Sequence, residues 1–361
     1  MSSFSTAVAL ATLLAALLCP SSGAAQRGDP LQFHNERLWK SIRAPADGPP
    51  QPADPVIVAV LDGPVRADHE DLPDVVFIRP RLRDAAGHCA VDDCCPKIAA
   101  PAANWHATRV AGVIGATRGN GKGTAGIAPV GSIVSIVTHL AGRDGEINLA
   151  SAIHCAIDYR DAAGRRVRVA NISMGSVQRP ATNAVKTALQ RAAAADLLIV
   201  ASAGNDGDNI DTMLRWPGSQ NLPNIVTVET RRYDGRLARS ASEGFGTVDL
   251  GAPAPMAYES DGHSLCAPST PLRSSSSCSG DYGSFEQSSA ATAVVSGAAA
   301  LIWSDRRYAG CDAAQMRTLL RTSRSHCRRG YSRSEKGEAE VCMLDLAFLS
   351  EPGVVEGTCG R

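Results

Sequence analysis

Aromatic residues are scarce in this sequence, at 4% of 361 residues, and neither sign of charge is in excess. So few rings argue against a surface on which nucleic-acid bases stack. Lysine plus arginine number 36, as do aspartate plus glutamate, so the formal net charge is zero. That balance supplies no basic field to draw nucleic acid or an anionic membrane. Beyond the N-terminus, no apolar run is long enough to span a bilayer. Composition therefore predicts no nucleic-acid partner and no stable membrane span; the chain is expected to be a monomer. The length suits one large domain or two modest ones, and the apolar share of 44% is ordinary for a folded protein.

The N-terminus differs in character. Ala7 to Leu18 is almost wholly Ala, Leu, Val and Thr, followed by Pro20, two serines, Gly23, Ala24 and Ala25. This is the apolar core and small-residue cleavage site of a secretory signal over residues 1–25, although no Lys or Arg precedes it. An uncleaved anchor is the alternative. Export, to a periplasm or out of the cell, also suits the cysteines. There are eleven, and removing Cys19 with the signal leaves an even set, as expected for disulfides in an oxidising compartment. Cys89, Cys94 and Cys95 beside His88 invite a zinc reading, but two separated ligand pairs are missing. No metal site is assigned.

Residues 26–55 are polar and rich in proline, and read as an extended arm. A domain over 56–349 and a tail over 350–361 follow. Val56 to Leu61 is a continuous apolar run, the mark of a parallel strand buried on both faces. Ile133 to Val137, Val167 to Ile172, Leu197 to Ala203 and Ile225 to Val228 share that character. Helical patterns alternate with them over His106 to Ala116 (Asn104 as cap), Leu149 to Tyr159, Thr182 to Ala195 and Ser289 to Trp303. The predicted fold is α/β, a single domain with a parallel β-sheet flanked by helices on both faces. Such sheets gather their sites at the carboxyl ends of the strands, where Asp62, Ser173 and Asn205 fall.

The strings around these residues carry chemistry. Val58-Ala59-Val60-Leu61-Asp62 continues to Asp68-His69-Glu70-Asp71-Leu72; His106-Ala107-Thr108-Arg109-Val110-Ala111-Gly112 follows, then Gly121-Lys122-Gly123-Thr124-Ala125-Gly126-Ile127-Ala128-Pro129. Asn171-Ile172-Ser173-Met174-Gly175, Ala201-Ser202-Ala203-Gly204-Asn205 and Gln287-Ser288-Ser289-Ala290-Ala291 complete the series. In this order the strings resemble the subtilase family of serine proteases, from about Leu38 to about Leu349. The resemblance implies a secreted endopeptidase with Asp62 orienting an imidazole, His106 as general base and acid, and Ser289 as nucleophile. It implies Asn205 as oxyanion donor, and Ser173, Met174, Gly175, Ala203 and Gly204 as the backbone against which a protein or peptide substrate extends. Ser288 is the rival nucleophile, and the Val295-Ser296-Gly297 string favours Ser289. Asn171 to Gly175 nearly spells the nucleophile elbow of α/β-hydrolases, but Asn171 stands where that motif needs glycine.

Some positions depart from the family pattern. Gly63 and Pro64 replace a hydroxyl residue and glycine, Ala107 a glycine, and Arg109 a histidine. Gln287 and Ala293 stand where the nucleophile motif usually has glycine and proline. The alternative function is therefore a catalytically impaired, secreted binding protein of subtilase form. Gln287 is expected to narrow the substrate entrance, and Arg109 to perturb His106 if it points inward. Asp206 and Arg215, of opposite charge, approach the primary pocket in this reading. Only a short segment separates Gln26 from the core, so folding without a large removable pro-segment is expected. Ala252 to Phe285 reads as an enlarged surface loop closed by Cys266 and Cys278. No cofactor is required, and calcium, common in the family, is left open because no carboxylate cluster specifies a site.

Overall fold

In this computed structural model, residues 28–45, 53–81, 88–89, 93–138, 149–174, 176–177, 182–256, 265–271, 278–322, 324–332, 337–351 and 359 are described. The predicted signal at 1–25 and Gly175 lie outside them.

The apolar run after Pro55 forms strand β1 (Val56–Asp62), buried along its whole length. With the period of two that a strand imposes, Val56, Val58 and Val60 enter one apolar layer, and Ile57, Ala59 and Leu61 enter another. On one side β1 pairs in parallel with β3 (Val130–Val137), which pairs with β2 (Val75–Ile78). On the other it pairs with β4 (Val167–Ile172), followed by β6 (Leu198–Ser202), β8 (Ile225–Arg231) and β9 (Leu250–Pro253), all parallel. Strand β13 (Gly337–Leu344) extends the sheet in parallel, and β12 (Arg324–Ser332) closes it antiparallel, giving nine strands. Two small antiparallel pairs stand apart: β5 (Ser176–Val177) with β7 (Arg215–Trp216), and β10 (Leu265–Pro268) with β11 (Tyr282–Phe285).

Helices cover both faces. α2 (Trp105–Gly115), α5 (Gln287–Trp303) and α6 (Ala313–Thr322) share the layer of Val58 and Val60, while α3 (Leu149–Asp158) and α4 (Asn183–Ala194) share that of Ile57 and Leu61. α5 is almost wholly buried, and its small residues allow close approach to α2. A Cβ at Gly297 would lie 2.7 Å from Ile127 Cβ and 3.2 Å from the Ile114 carbonyl oxygen. The single α/β domain is as predicted. Among the described residues no helix is long and apolar enough to cross a membrane.

Two expectations need correction. The segment 26–55 is not simply extended: a 3-10 turn (Gln32–His34) leads into α1 (Glu36–Ser41). Leu38, Trp39 and Ile42, at helical spacing, are buried, and Asp29 accepts from the N–H groups of Gly119 and Gly121. Ala252 to Phe285 is more than a surface loop. Its Cys266–Cys278 bond is present, but both cysteines are buried, and β10 packs on α2. The cysteines considered for zinc are bonded as Cys89–Cys94 and Cys95–Cys155, which leaves no thiolate ligand. Cys311–Cys359 and Cys327–Cys342 complete five bridges, so every cysteine after Cys19 is paired.

Candidate active site

Because β3 and β4 lie on opposite sides of β1, the chain changes direction across it and opens a crevice at the carboxyl ends of these strands. Asp62 ends β1 there, Ser173 follows β4, and Asn205 follows β6.

Asp62 is 1% exposed. Its Oδ1 accepts from the Gly63 N–H at 2.6 Å, and its Oδ2 lies 2.7 Å from His106 Nδ1. A carboxylate only accepts, so Nδ1 carries the imidazole proton and Nε2 is left as the basic nitrogen. His106 is placed by the start of α2, where the Asn104 side chain accepts from the N–H groups of His106 and Ala107. The Gly63 departure fits this cap: a Cβ there would lie 2.7 Å from Asn104 Cβ. Trp105 and Phe285 meet the imidazole edge-on, with centroids at 5.7 and 5.6 Å.

Burial lowers the His106 pKa, but the Asp62 carboxylate outweighs it and holds the imidazole above its ordinary value. The positive charge of Arg109 works against that rise. Arg109 does point inward. Its guanidinium donates to Ser269 Oγ at 3.1 Å and the Ser284 carbonyl at 2.8 Å, and lies 4.6 Å from the Trp105 ring centroid. A Cβ at Gly283 would overlap it.

Ser289 is the third residue of α5, which begins two residues earlier than expected, at Gln287. Its hydroxyl donates to the Ser173 carbonyl at 3.0 Å, and Ser173 Oγ donates back to the Ser289 carbonyl at 2.9 Å. Asn171 Nδ2 donates to Ser173 Oγ, and Ser296 Oγ to Asn171 Oδ1, so a buried polar chain fixes this junction. The rival Ser288 is 1% exposed and bonded to Ser202 Oγ, whereas Ser289 is half-buried.

Asn205 Oδ1 accepts from the Ser288 N–H at 2.9 Å. A backbone N–H only donates, so the facing atom is the amide oxygen, and Nδ2 is left as a donor. The Ser289 N–H sits in the first turn of α5, where the helix supplies no acceptor of its own. Asn205 thus meets the first turn of α5, at the positive end of its helix dipole.

The remaining expected residues line the adjoining strands. Met174 is half-buried against the α3–α4 layer, Ala203 is buried, and Gly204 has φ +111°. Behind Gly204 lies Arg215, 5% exposed, whose Nη2 donates to Asp206 at 2.5 Å and Asp208 at 2.6 Å. The two opposite charges expected near the pocket therefore pair with each other. Gln287 takes φ +66°, a left-handed conformation that favours glycine and costs a non-glycine residue roughly 1–2 kcal/mol. Its side chain turns toward Ser240 Oγ, at 3.4 Å.

Sequence reasoning did not foresee the aromatic edges around His106 or the partners of Arg109, which, apart from the adjacent Trp105, come from segments distant in the chain. Among the described residues the one cluster of three His, Cys, Asp or Glu side chains is Cys327, Glu340 and Cys342, whose two sulfurs are bonded to each other. Asp71, beside the loop that follows the histidine helix, accepts from the Thr124 N–H and Asn120 Nδ2.

With this geometry in view, the comparisons with known proteins are specific. The model of the subtilase family matches residues 53–340. The chain is 30% identical over 250 residues to an intracellular serine protease of Paenibacillus polymyxa, covering 68% of this chain and 66% of that protein. It is 28% identical over 242 residues to an extracellular protease of Xanthomonas campestris pv. campestris, covering 65% of this chain and 39% of the relative. The chain thus spans less than two thirds of each of these relatives. A solved protease structure from Pseudoalteromonas arctica superposes with a TM-score of 0.66 at 22% identity, over 90% of this chain and 98% of that one. That likeness bears on the fold, which it shares. The chain belongs to the subtilase family.

Proposed function

We propose that this protein is a serine-type endopeptidase that hydrolyses peptide bonds through an acyl-enzyme on Ser289. The observation that carries the reading is the 2.7 Å contact of buried Asp62 with His106 Nδ1, which leaves Nε2 as a base on an imidazole that meets Phe285, two residues before α5. In the reaction the Ser289 hydroxyl turns from the Ser173 carbonyl to His106 Nε2, gives up its proton and attacks the scissile carbonyl. Asn205 Nδ2 and the Ser289 N–H receive the oxyanion, a side-chain donor of this kind being worth roughly 3–4 kcal/mol. Asp62 stabilises the imidazolium, which passes its proton to the leaving amine. Water, activated by the same imidazole, then releases the acyl group. Extended substrate runs along Ser173 to Gly175 and Ala203 to Gly204.

Export, by way of a signal over 1–25, is part of the proposal, with 56–349 as the catalytic domain. Five disulfides support an oxidising destination, outside the cell or in a periplasm. Relatives named as intracellular and as extracellular both occur, so the bridges carry this point.

Purified protein is expected to cleave a denatured protein substrate, with Ser289→Ala slower by about 10³-fold or more. Equal rates in both proteins, or no cleavage by well-folded wild type, would sink the reading. The second outcome leaves the binding-protein alternative, favoured by one observation: the Ser289 hydroxyl rests on the Ser173 carbonyl.

The pH profile tests Arg109. Only the neutral imidazole acts as base, so kcat/KM falls on the acid side as His106 protonates, above the ordinary imidazole pKa. Arg109 lowers that pKa, so Arg109→Met moves the acid limb to higher pH. A limb that stays put or moves down contradicts the coupling.

A further inference from the structure

At the amino ends of β1 and β4, opposite the candidate active site, a cavity of about 330 Å³ opens beside Val56, Ile57, Arg165, Arg166, Arg168 and Trp303. We propose that it is a binding site for a tetrahedral oxyanion, such as phosphate or sulfate, gripped by Arg168 with Arg165 and Arg166 at its rim.

The three arginines are not equivalent. Arg165 pairs with Asp161 at 2.7 Å, and Arg166 pairs with Asp196 and donates to the Ala195 carbonyl at 2.6 Å. Arg168 forms no ion pair with any described residue. Its Nη2 donates to the Cys311 carbonyl at 2.5 Å, and its Cζ lies 4.4 Å from the Trp303 ring centroid. The Trp303 indole donates to the same carbonyl at 3.0 Å, so ring, carbonyl and guanidinium are locked together. Arg168 Nε is buried with no acceptor.

A guanidinium does not shed its proton in proteins, so a half-buried one without a carboxylate is left to find its counter-charge elsewhere. Burial and the neighbouring Arg166 act against the charge on Arg168 and together outweigh the favourable fields of Asp196 and Asp312, a balance that a bound anion would relieve. Asp54 also lines the cavity, but it is solvent-exposed and makes no ion pair with Arg168 among the described residues. The volume is at the small end for ligand sites, roughly 300–1,000 Å³, which suits a compact ion or the phosphorylated or sulfated tip of a larger molecule. A planar fork held flat on an indole face is prepared for bidentate contact with such oxygens.

The test is calorimetric titration of the whole protein with sodium phosphate, against sodium chloride of equal ionic strength, with tryptophan fluorescence recorded in parallel. Saturable phosphate binding with a fluorescence change is expected, and Arg168→Met should weaken it by about 10-fold while peptide cleavage is unchanged. Arg168→Lys keeps the charge but loses the fork and the stack, and is expected to bind several-fold more weakly. A phosphoserine peptide distinguishes the sources: tighter binding than inorganic phosphate points to an esterified ligand, equal or weaker binding to the free ion. No saturable binding beyond the chloride control, or wild-type affinity in either Arg168 variant, overturns the proposal.

Discussion

Replacing Asp62 by asparagine is expected to lower kcat on a peptide substrate by roughly 10⁴ while leaving KM and thermal stability near wild type. The geometry dictates both parts. Oδ1 of Asp62 accepts from the Gly63 N–H, a bond that the asparagine oxygen preserves, so the shape of the β1 end survives. The amide nitrogen then falls opposite His106 Nδ1, where the carboxylate oxygen had been. Two N–H groups cannot face each other, so Nδ1 must become the acceptor and the proton moves to Nε2. The imidazole is then unable to take the Ser289 proton. Steady-state kinetics with a thermal melt separate this from unfolding. A loss of less than about 10-fold in a well-folded variant would mean that Asp62 does not set the tautomer.

The second large effect concerns stability far from the crevice. Glu229 and Arg231, at the end of β8, have side chains 0% exposed and paired at 2.5 Å. Arg328 of β12 reaches Glu229 at 2.9 Å and Glu243 at 2.8 Å, while Arg231 also donates to the Gly235 and Val341 carbonyls. Two carboxylates and two guanidiniums thus tie the β12–β13 hairpin to the sheet. Gly251 makes room, since a Cβ there would lie 2.5 Å from Arg231 Cγ. Glu229→Gln leaves the fully buried Arg231 guanidinium without its carboxylate and Arg328 with Glu243 alone, and is expected to cost about 3–5 kcal/mol. At roughly 2–4 °C per kcal/mol, Tm falls by about 10 °C. Adding Arg231→Met to Glu229→Gln should cost less than the two single losses summed, because the second change removes a charge the first left unpaired. Additive losses, or a Tm shift within about 1 °C for Glu229→Gln, would show that the cluster does not hold the hairpin.

The parallel sheet is legible in the sequence because its central strands are buried on both faces. Val56 to Leu61 and Leu197 to Ala201 can be uninterrupted apolar runs, and they read as little else. α2 is legible for a local reason, the Asn104 cap ahead of an apolar face. The edge elements obey no such rule. Strand β12 runs Arg-Ser-His-Cys-Arg-Arg-Gly-Tyr-Ser, a string whose place in the sheet depends on its pairing with β13 and on the Glu229 cluster. β10 and β11 are four residues each, too short for periodicity to speak, and they are placed by pairing with each other, by the Cys266–Cys278 bond and by the packing of β10 on α2. At the candidate site, motif strings supplied the residue types, and the fold supplied their meeting. Asp62 and His106 are 44 positions apart, and Ser173 and Ser289 are 116 apart. The departures from the family pattern become intelligible only in three dimensions. Gly63 accommodates Asn104, and Gly283 accommodates Arg109. Gln287 bends away to Ser240 in a backbone conformation suited to glycine.

The most direct test of the account is labelling of the purified protein with a fluorophosphonate, which reacts with an activated serine hydroxyl. The account predicts one covalent adduct per chain, mapped to Ser289 and absent from Ser289→Ala. A wild-type protein that is folded yet unlabelled, or an adduct on Ser288 or Ser173, would contradict it.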